Sequence, residues 1–407
     1  STLSTTSSLL ETAGFSFTML MDMFIGSASY SSVRSRMKPR CVMGKQKSAP
    51  DLTLLAVTIA LLVIGLIMVY SASAAWASYR FSDSFFFAKR QLFFGGTGVL
   101  LMFVMMRLDY WVWRTYSKII LIVCFALLVI VLIPGVGLVR GGAQSWLGVG
   151  AFSIQPSEFM KMAMIIFLAK FLADHQKWIV TIKKGLVPSL GLVLLAFALI
   201  MMQPDLGTGA VMVGTCTVMI FTAGARIKHF VALGLIGVFG FVALIASAPY
   251  RIQRITSFMD PWSDPLGSGF QIIQSLLAIG PGGLLGMGLG ESRQKYFYLP
   301  EPQTDFIFAI LAEEMGFLGG VTVLLLFAIL YWRGIRIALG APDLFGSFLA
   351  IGIITMIAIQ VMINIGVVTG LMPVTGITLP LLSYGGSSLT LMLVSIGVLL
   401  NISRHAR

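Results

Sequence analysis

Charge is the scarcest commodity in this chain. Only 11% of its 407 residues are Asp, Glu, Lys or Arg, where a water-soluble domain carries about 25%, and a soluble enzyme is excluded on that ground. Cysteine is nearly absent: Cys41, Cys124 and Cys216 form no CxxC or Cys/His cluster, which removes a disulfide framework and a zinc site. The three histidines, His175, His229 and His405, lie beside basic clusters and argue against histidine-centred chemistry. There is no GxxxxGK[ST] loop and no fixed internal repeat, so ATP-driven transport within the chain has no support.

What is present is apolar. Hydrophobic residues make up 57% of the chain, with 43 glycines and a mean hydropathy of +0.93. Apolar runs suited to membrane helices occur near residues 52–75, 91–106, 117–135, 156–173, 186–202, 207–224, 228–247, 305–331, 345–370 and 386–402. The expected fold is all-α, a polytopic integral membrane protein of about ten transmembrane helices. The net charge of +12 falls in short segments between these runs, a signature of topology rather than of nucleic-acid binding. With both termini placed in the cytoplasm, 19 of the 28 lysines and arginines lie inside and eight outside, and Lys161 is left within a span. The long loop at 249–304, between helices 7 and 8, is then extracytoplasmic. Residues 1–48 read as a disordered Ser/Thr-rich arm; its apolar patch, Phe15 to Ile25, is too short to span.

The long loop is where chemistry is expected. Linkers between helices usually run two to eight residues, whereas this one gathers Asp260, Asp264, Glu291, Glu301 and the adjoining Asp305 with Arg251, Arg254, Arg293 and Lys295. Within it, the spacing around Gln271 and Gln274 predicts an amphipathic helix over 270–279. The glycine run 280–290 has two readings of equal weight: backbone N–H groups turned toward an anion such as a diphosphate, or glycines that let helices approach closely. Glu158 and Lys161 stand at i,i+3 on one helix, either as a structural ion pair or as lining of a substrate cavity. The stretch 373–389, with Ser383, is broken by Pro and Gly and crowded with hydroxyls, as cavity-lining segments at membrane depth are. Asp305 precedes an apolar helix, so a helix-capping role competes with a catalytic one.

These motifs carry a resemblance. FFFAKRQ (85–91), QSWLGVGAFSIQPSEFMK (144–161), QPDLGTG (203–209), PYRIQRI (249–255), DPLGSGFQIIQS (264–275), KYFYLPEPQTDFIFAILAEEMG (295–316) and GITLPLLSYGGSSL (376–389) together resemble the SEDS family (shape, elongation, division and sporulation), and most of all its sporulation branch. The resemblance runs from about Asp51 to the C-terminus and leaves the N-terminal arm outside. It implies a multi-pass protein of the bacterial cell membrane that polymerises lipid II into glycan strands and works with a class B penicillin-binding protein. It carries the catalytic carboxylate onto Asp305, the Glu/Lys pair onto Glu158 and Lys161, and an important loop tryptophan onto Trp146. The basic residue usual just before that tryptophan is replaced by Gln144 and Ser145, which leaves Arg140 as the nearby cation.

Polymerisation asks for one general base and for positive charge at a departing diphosphate. Asp305 is the expected base. The expected substrate contacts are Trp146, Glu158, Lys161, Gln274, Ser383 and the cations Arg140, Arg251, Arg254, Arg293 and Lys295. A divalent ion, magnesium or manganese, held by Asp305 and the diphosphate is the one cofactor expected; no organic cofactor is. Two rival readings are a lipid II flippase and a non-catalytic scaffold for the penicillin-binding protein.

Overall fold

In the computed structural model, which describes residues 48–406 apart from 141–142, 150–151, 177–178, 180–184, 226–227, 229–233, 235–257, 268 and 297, aspartates start three of the helices. The carboxylates of Asp51, Asp205 and Asp343 accept from the backbone N–H of Leu54, Thr208 and Gly346 at 2.9, 3.1 and 2.9 Å, satisfying donors that a helix N-terminus leaves open. Two further helices carry proline in their first turn, at Pro156 and Pro188, where its missing N–H costs nothing.

The described helices are α1 (Leu52–Phe81), α2 (Phe86–Arg107), α3 (Trp111–Val131), α4 (Pro156–Asp174), α5 (Val187–Met201), α6 (Leu206–Thr222), α7 (Phe270–Ile279), α8 (Ile307–Gly340), α9 (Leu344–Val368) and α10 (Gly386–Ser403). Nine of them coincide with expected spans, and α7 is the amphipathic loop helix. The expected seventh span and the arm of residues 1–47 lie outside the described residues, but for isolated positions in the former. Helices α1, α3, α8, α9 and α10 are each long and apolar enough to cross a bilayer. Helix α9 is central and packs against α8, α4 and α6, while α10 lies along α2.

The sequence reading held no strands, yet a small antiparallel sheet follows α3, with β1 (Leu138–Arg140), β2 (Ala143–Val149) and β3 (Phe152–Ile154) in the order β1-β2-β3. Its register sets Trp146 opposite Leu138 and Arg140 opposite Ala143. Gln144 donates to the carbonyls of Val131 and Ile133, both at 3.1 Å, and so closes the C-terminal end of α3.

Two faces follow from the hydrogen bonds. On one, the sheet, α7 and the turn before α8 gather; this is the loop face. On the other, Ser48 donates its N–H to the Arg404 carbonyl at 3.0 Å, Asn401 donates to the Met106 carbonyl at 2.8 Å and accepts from the Tyr110 N–H at 3.0 Å, and the Tyr110 hydroxyl donates to Asp343. Arg333 pairs with Asp51 at 2.6 Å and Arg114 with Asp174 at 2.5 Å. The ends of α1, α2, α3, α4, α8, α9 and α10 are thereby stitched together.

Candidate active site

Asp305 lies in a turn, not in a cap. The helix-starting position of α8 is Phe306, with no side-chain capping bond, so the capping role that competed for Asp305 is unfilled by its carboxylate. Its Oδ1 accepts from the Thr304 hydroxyl at 3.0 Å. The turn itself is tight: Thr304 donates its N–H to the Glu301 carbonyl at 3.0 Å and shares its one hydroxyl hydrogen between that carbonyl, at 2.8 Å, and Asp305, and Glu301 takes a positive φ of 45°. The residue is half-buried. Burial of the carboxyl, followed by the nearby negative charge of Glu301, pushes its pKa up to about 6 against the opposing pull of the Thr304 hydroxyl and the backbone N–H. A carboxylate titrating there is poised to accept a proton near neutral pH.

Three motif strings meet at this turn. The Tyr384 N–H donates to the Gln303 carbonyl at 2.8 Å, which ties the broken stretch 373–385 to the turn. Gln91 of α2, fully buried, donates to the Ser383 carbonyl at 3.0 Å and accepts from the Gly385 N–H at 3.4 Å. The Tyr384 ring stands edge-on to Phe87 at 5.0 Å. Ser383 is buried and accepts from the Leu379 N–H at 2.8 Å; its hydroxyl shapes the break.

From below, Asn364 of α9 donates to the backbone carbonyls of Asp305 and Ile377, both at 2.7 Å. Sequence reasoning missed it, as it missed Gln91. The available signal was a lone amide inside an apolar run, which is expensive in a membrane helix unless it has partners.

The glycine run resolves toward close approach. Helix α8 breaks at Gly316 (φ 64°, ψ −164°), and the run packs into the break. The N–H groups of Met287 and Gly288 donate to the Glu313 and Glu314 carbonyls at 3.0 and 3.1 Å, and Phe317 and Leu318 donate back to Gly283 and Leu284 at 2.8 and 3.1 Å. A Cβ at Gly286 would fall 2.1 Å from the Glu314 carbonyl oxygen, and one at Gly316 2.3 Å from the Gly286 nitrogen. These N–H groups are consumed by backbone and are not turned toward an anion.

Glu313 and Glu314 anchor the rest of the loop. Glu313, buried, accepts from the Ser292 hydroxyl at 2.5 Å and the Arg293 N–H at 2.9 Å. Glu314 accepts from the Ser71 hydroxyl of α1 at 2.6 Å and pairs with Lys295 at 3.1 Å. Lys295 is thus buried with its charge balanced inside the protein and also donates to the Gly290 carbonyl, whereas the Arg293 side chain is exposed.

The remaining expected residues are distributed over the loop face. Glu158 and Lys161 form an ion pair at 2.8 Å, with side-chain exposures of 11% and 3%. Their neighbours Gln155 and Ser157 donate to Asp205 at 2.9 and 3.0 Å, which binds the start of α4 to that of α6. Among the described residues no hydrogen bond joins this pair to Asp305. Trp146 is half-buried in β2, and Arg140 closes β1. Gln274 is half-buried on α7, whose Ser275 donates to the Val368 carbonyl at 2.7 Å. Arg251 and Arg254 lie outside the described residues. No group of three or more His, Cys, Asp or Glu that could hold a metal occurs among the described residues; Asp305 brings a single carboxylate.

Comparison with known proteins gives the family and the fold. The chain is 73% identical to stage V sporulation protein E of Bacillus subtilis (strain 168) over 365 residues, 90% of this chain and 100% of that one. It is 43% identical to the probable peptidoglycan glycosyltransferase FtsW of Geobacter sp. (strain M18), covering 88% and 97%. Among solved structures, it matches a chain of a peptidoglycan synthase complex that coordinates polymerization and crosslinking, with a TM-score of 0.72 at 33% identity, covering 88% and 98%. It also matches the rod shape determining protein RodA of Thermus thermophilus, with a TM-score of 0.65 at 30% identity, covering 88% and 97%. The profile described as "cell cycle protein", FtsW/RodA/SpoVE, matches residues 52–407. From the site geometry and these matches together, the chain is a multi-pass membrane protein that belongs to the FtsW/RodA/SpoVE family.

Proposed function

We propose that this protein is a peptidoglycan glycosyltransferase that joins lipid II units into glycan strands, in spore-cortex or division-type wall synthesis. The observation that carries the reading is Asp305, a half-buried carboxylate with its pKa raised to about 6 and no helix to cap. In this chemistry a sugar 4-hydroxyl attacks the anomeric carbon of the neighbouring lipid-linked sugar. The new C–O bond forms as the bond to the undecaprenyl diphosphate breaks, and the configuration inverts. Asp305 takes the hydroxyl proton. The diphosphate leaves as an anion and needs no acid, only positive charge, for which exposed Arg293 is available.

Magnesium or manganese suits such a site, because magnesium is commonly bound through one or two carboxylates and substrate phosphates. Asp305 would hold it together with the diphosphate, and the ion would neutralise the leaving group. The stitched face opposite the loop favours polymerisation over flipping, since a flipped head group needs a path through that face. With the positive-inside bias, that face is cytoplasmic and the loop face lies outside. A class B penicillin-binding protein is the proposed crosslinking partner, in line with the synthase complex the fold matches.

The test is polymerisation of labelled lipid II by purified protein in detergent with a divalent cation, with and without the partner, comparing wild type with Asp305→Asn. Polymer from wild type alone supports the assignment. Equal polymer from both removes Asp305 as the base, and none from either folded protein with a working partner removes the polymerase reading.

A further inference from the structure

Asp305 has no capping bond and no ion pair to orient it among the described residues; its one side-chain partner is the neighbouring Thr304 hydroxyl. The direction of its carboxylate is therefore set by its backbone. Among the described residues, one side chain hydrogen-bonds that backbone from the body of the protein. Asn364, 1% exposed on α9, gives one amide hydrogen to the Asp305 carbonyl and the other to the Ile377 carbonyl, each at 2.7 Å. The amide orientation is chemically determined, because the reversed amide would set its oxygen against both carbonyls. Its Oδ1 is buried without a partner, an unfavourable arrangement that an apolar residue would avoid. The two donor bonds are what this side chain supplies.

The geometry points to Asn364 as a positioning residue for catalysis: it clamps the Asp305 turn and the broken segment at Ile377 to α9, and so sets where the carboxylate meets the attacking hydroxyl. The clamp closes a ring, since the far end of the broken segment returns through the Tyr384 N–H to the Gln303 carbonyl. Helix α9 is the rigid reference, packed on α4, α6 and α8. Releasing the clamp lets the turn drift relative to bound substrate, and a displacement near 1 Å lowers turnover by about a hundredfold. This inference rests on Asp305 acting as the base.

The experiment is steady-state lipid II polymerisation by Asn364→Leu, which removes both donors, and Asn364→Ser, which keeps one, alongside Asp305→Asn. The expected result is a kcat lowered about a hundredfold in Asn364→Leu with KM within about threefold, and an intermediate kcat in Asn364→Ser. Adding Asn364→Leu to Asp305→Asn should lower the residual rate no further, since the two act as one unit; a purely structural role would lower it again. If melting in detergent shows Asn364→Leu unfolded, Asn364→Ser decides alone. Wild-type kcat in the folded variants, or a loss confined to KM, overturns the inference while Asp305→Asn remains inactive. Full activity of Asp305→Asn overturns instead the reading on which it rests.

Discussion

The Lys295 ammonium lies 3.1 Å from the Glu314 carboxylate, with side-chain exposures of 6% and 0%, and the pair locks the long loop to the helix that Asp305 introduces. Ser71 of α1 joins them, donating to Glu314 at 2.6 Å. The turn that carries Asp305 is only as fixed as the helix it precedes, and here two consecutive glutamates fasten that helix to the loop.

Removing one partner of this pair strands the other as a buried charge. Lys295→Met or Glu314→Gln should each lower stability by about 3–5 kcal/mol. Replacing both with Met and Leu should recover most of the loss. Unfolding of the four proteins in detergent, followed by intrinsic fluorescence, checks both the size and the recovery.

The raised pKa of Asp305 has a sign that can be tested on stability. Its carboxyl binds its proton more tightly folded than unfolded, rising from 3.8 to about 6, so its contribution is fully present below the unfolded pKa and is lost as pH rises through about 6. The two-unit shift corresponds to roughly 3 kcal/mol. Asp305→Asn, which carries no charge, should therefore be more stable than wild type at pH 7.5 and nearly equal to it at pH 4, while its polymerisation falls by about 10²- to 10⁴-fold. In the wild type, activity should decline about tenfold per pH unit below pH 6. Melting curves at the two pH values and a pH–rate profile measure these effects.

The break in α8 requires glycine on both sides. Gly286 has φ +81° and Gly316 φ +64°, and a Cβ at either would sit within 2.3 Å of backbone. Alanine at either position should destabilise the protein by more than about 2 kcal/mol. Alanine at Gly283, whose φ of +51° leaves open space around a Cβ, should bring only the smaller backbone strain. Comparing the three melting temperatures separates crowding from strain.

The membrane helices were legible because apolar length is a local property: the expected run 386–402 became Gly386–Ser403, and 345–370 became Leu344–Val368. The amphipathic helix at 270–279 was legible for the same reason, its period being written in ten consecutive residues. The strands were not, since segments as short as Leu138–Arg140 and Phe152–Ile154 carry no alternation of their own and exist through pairing with β2. The glycine run stayed ambiguous because a glycine's use depends on what stands beside it, and Glu314 and Gly316 are distant in sequence.

The resemblance carried the catalytic carboxylate onto Asp305, and residue chemistry placed an ion pair at Glu158 and Lys161, because i,i+3 spacing and the scarcity of charge are visible in one dimension. The sequence by itself thus determined that the chain spans a membrane and where nine of its expected spans lie, and it singled out Asp305 as the candidate carboxylate. Only the tertiary structure decided what holds that carboxylate. Asn364 meets Asp305 across 59 positions and Gln91 meets Ser383 across 292, and a lone amide in an apolar helix names no partner until the helices pack. The physical reason is the directionality of hydrogen bonds: hydrophobicity sorts segments by composition alone, whereas a buried donor is satisfied only by an acceptor that folding carries to within about 3 Å.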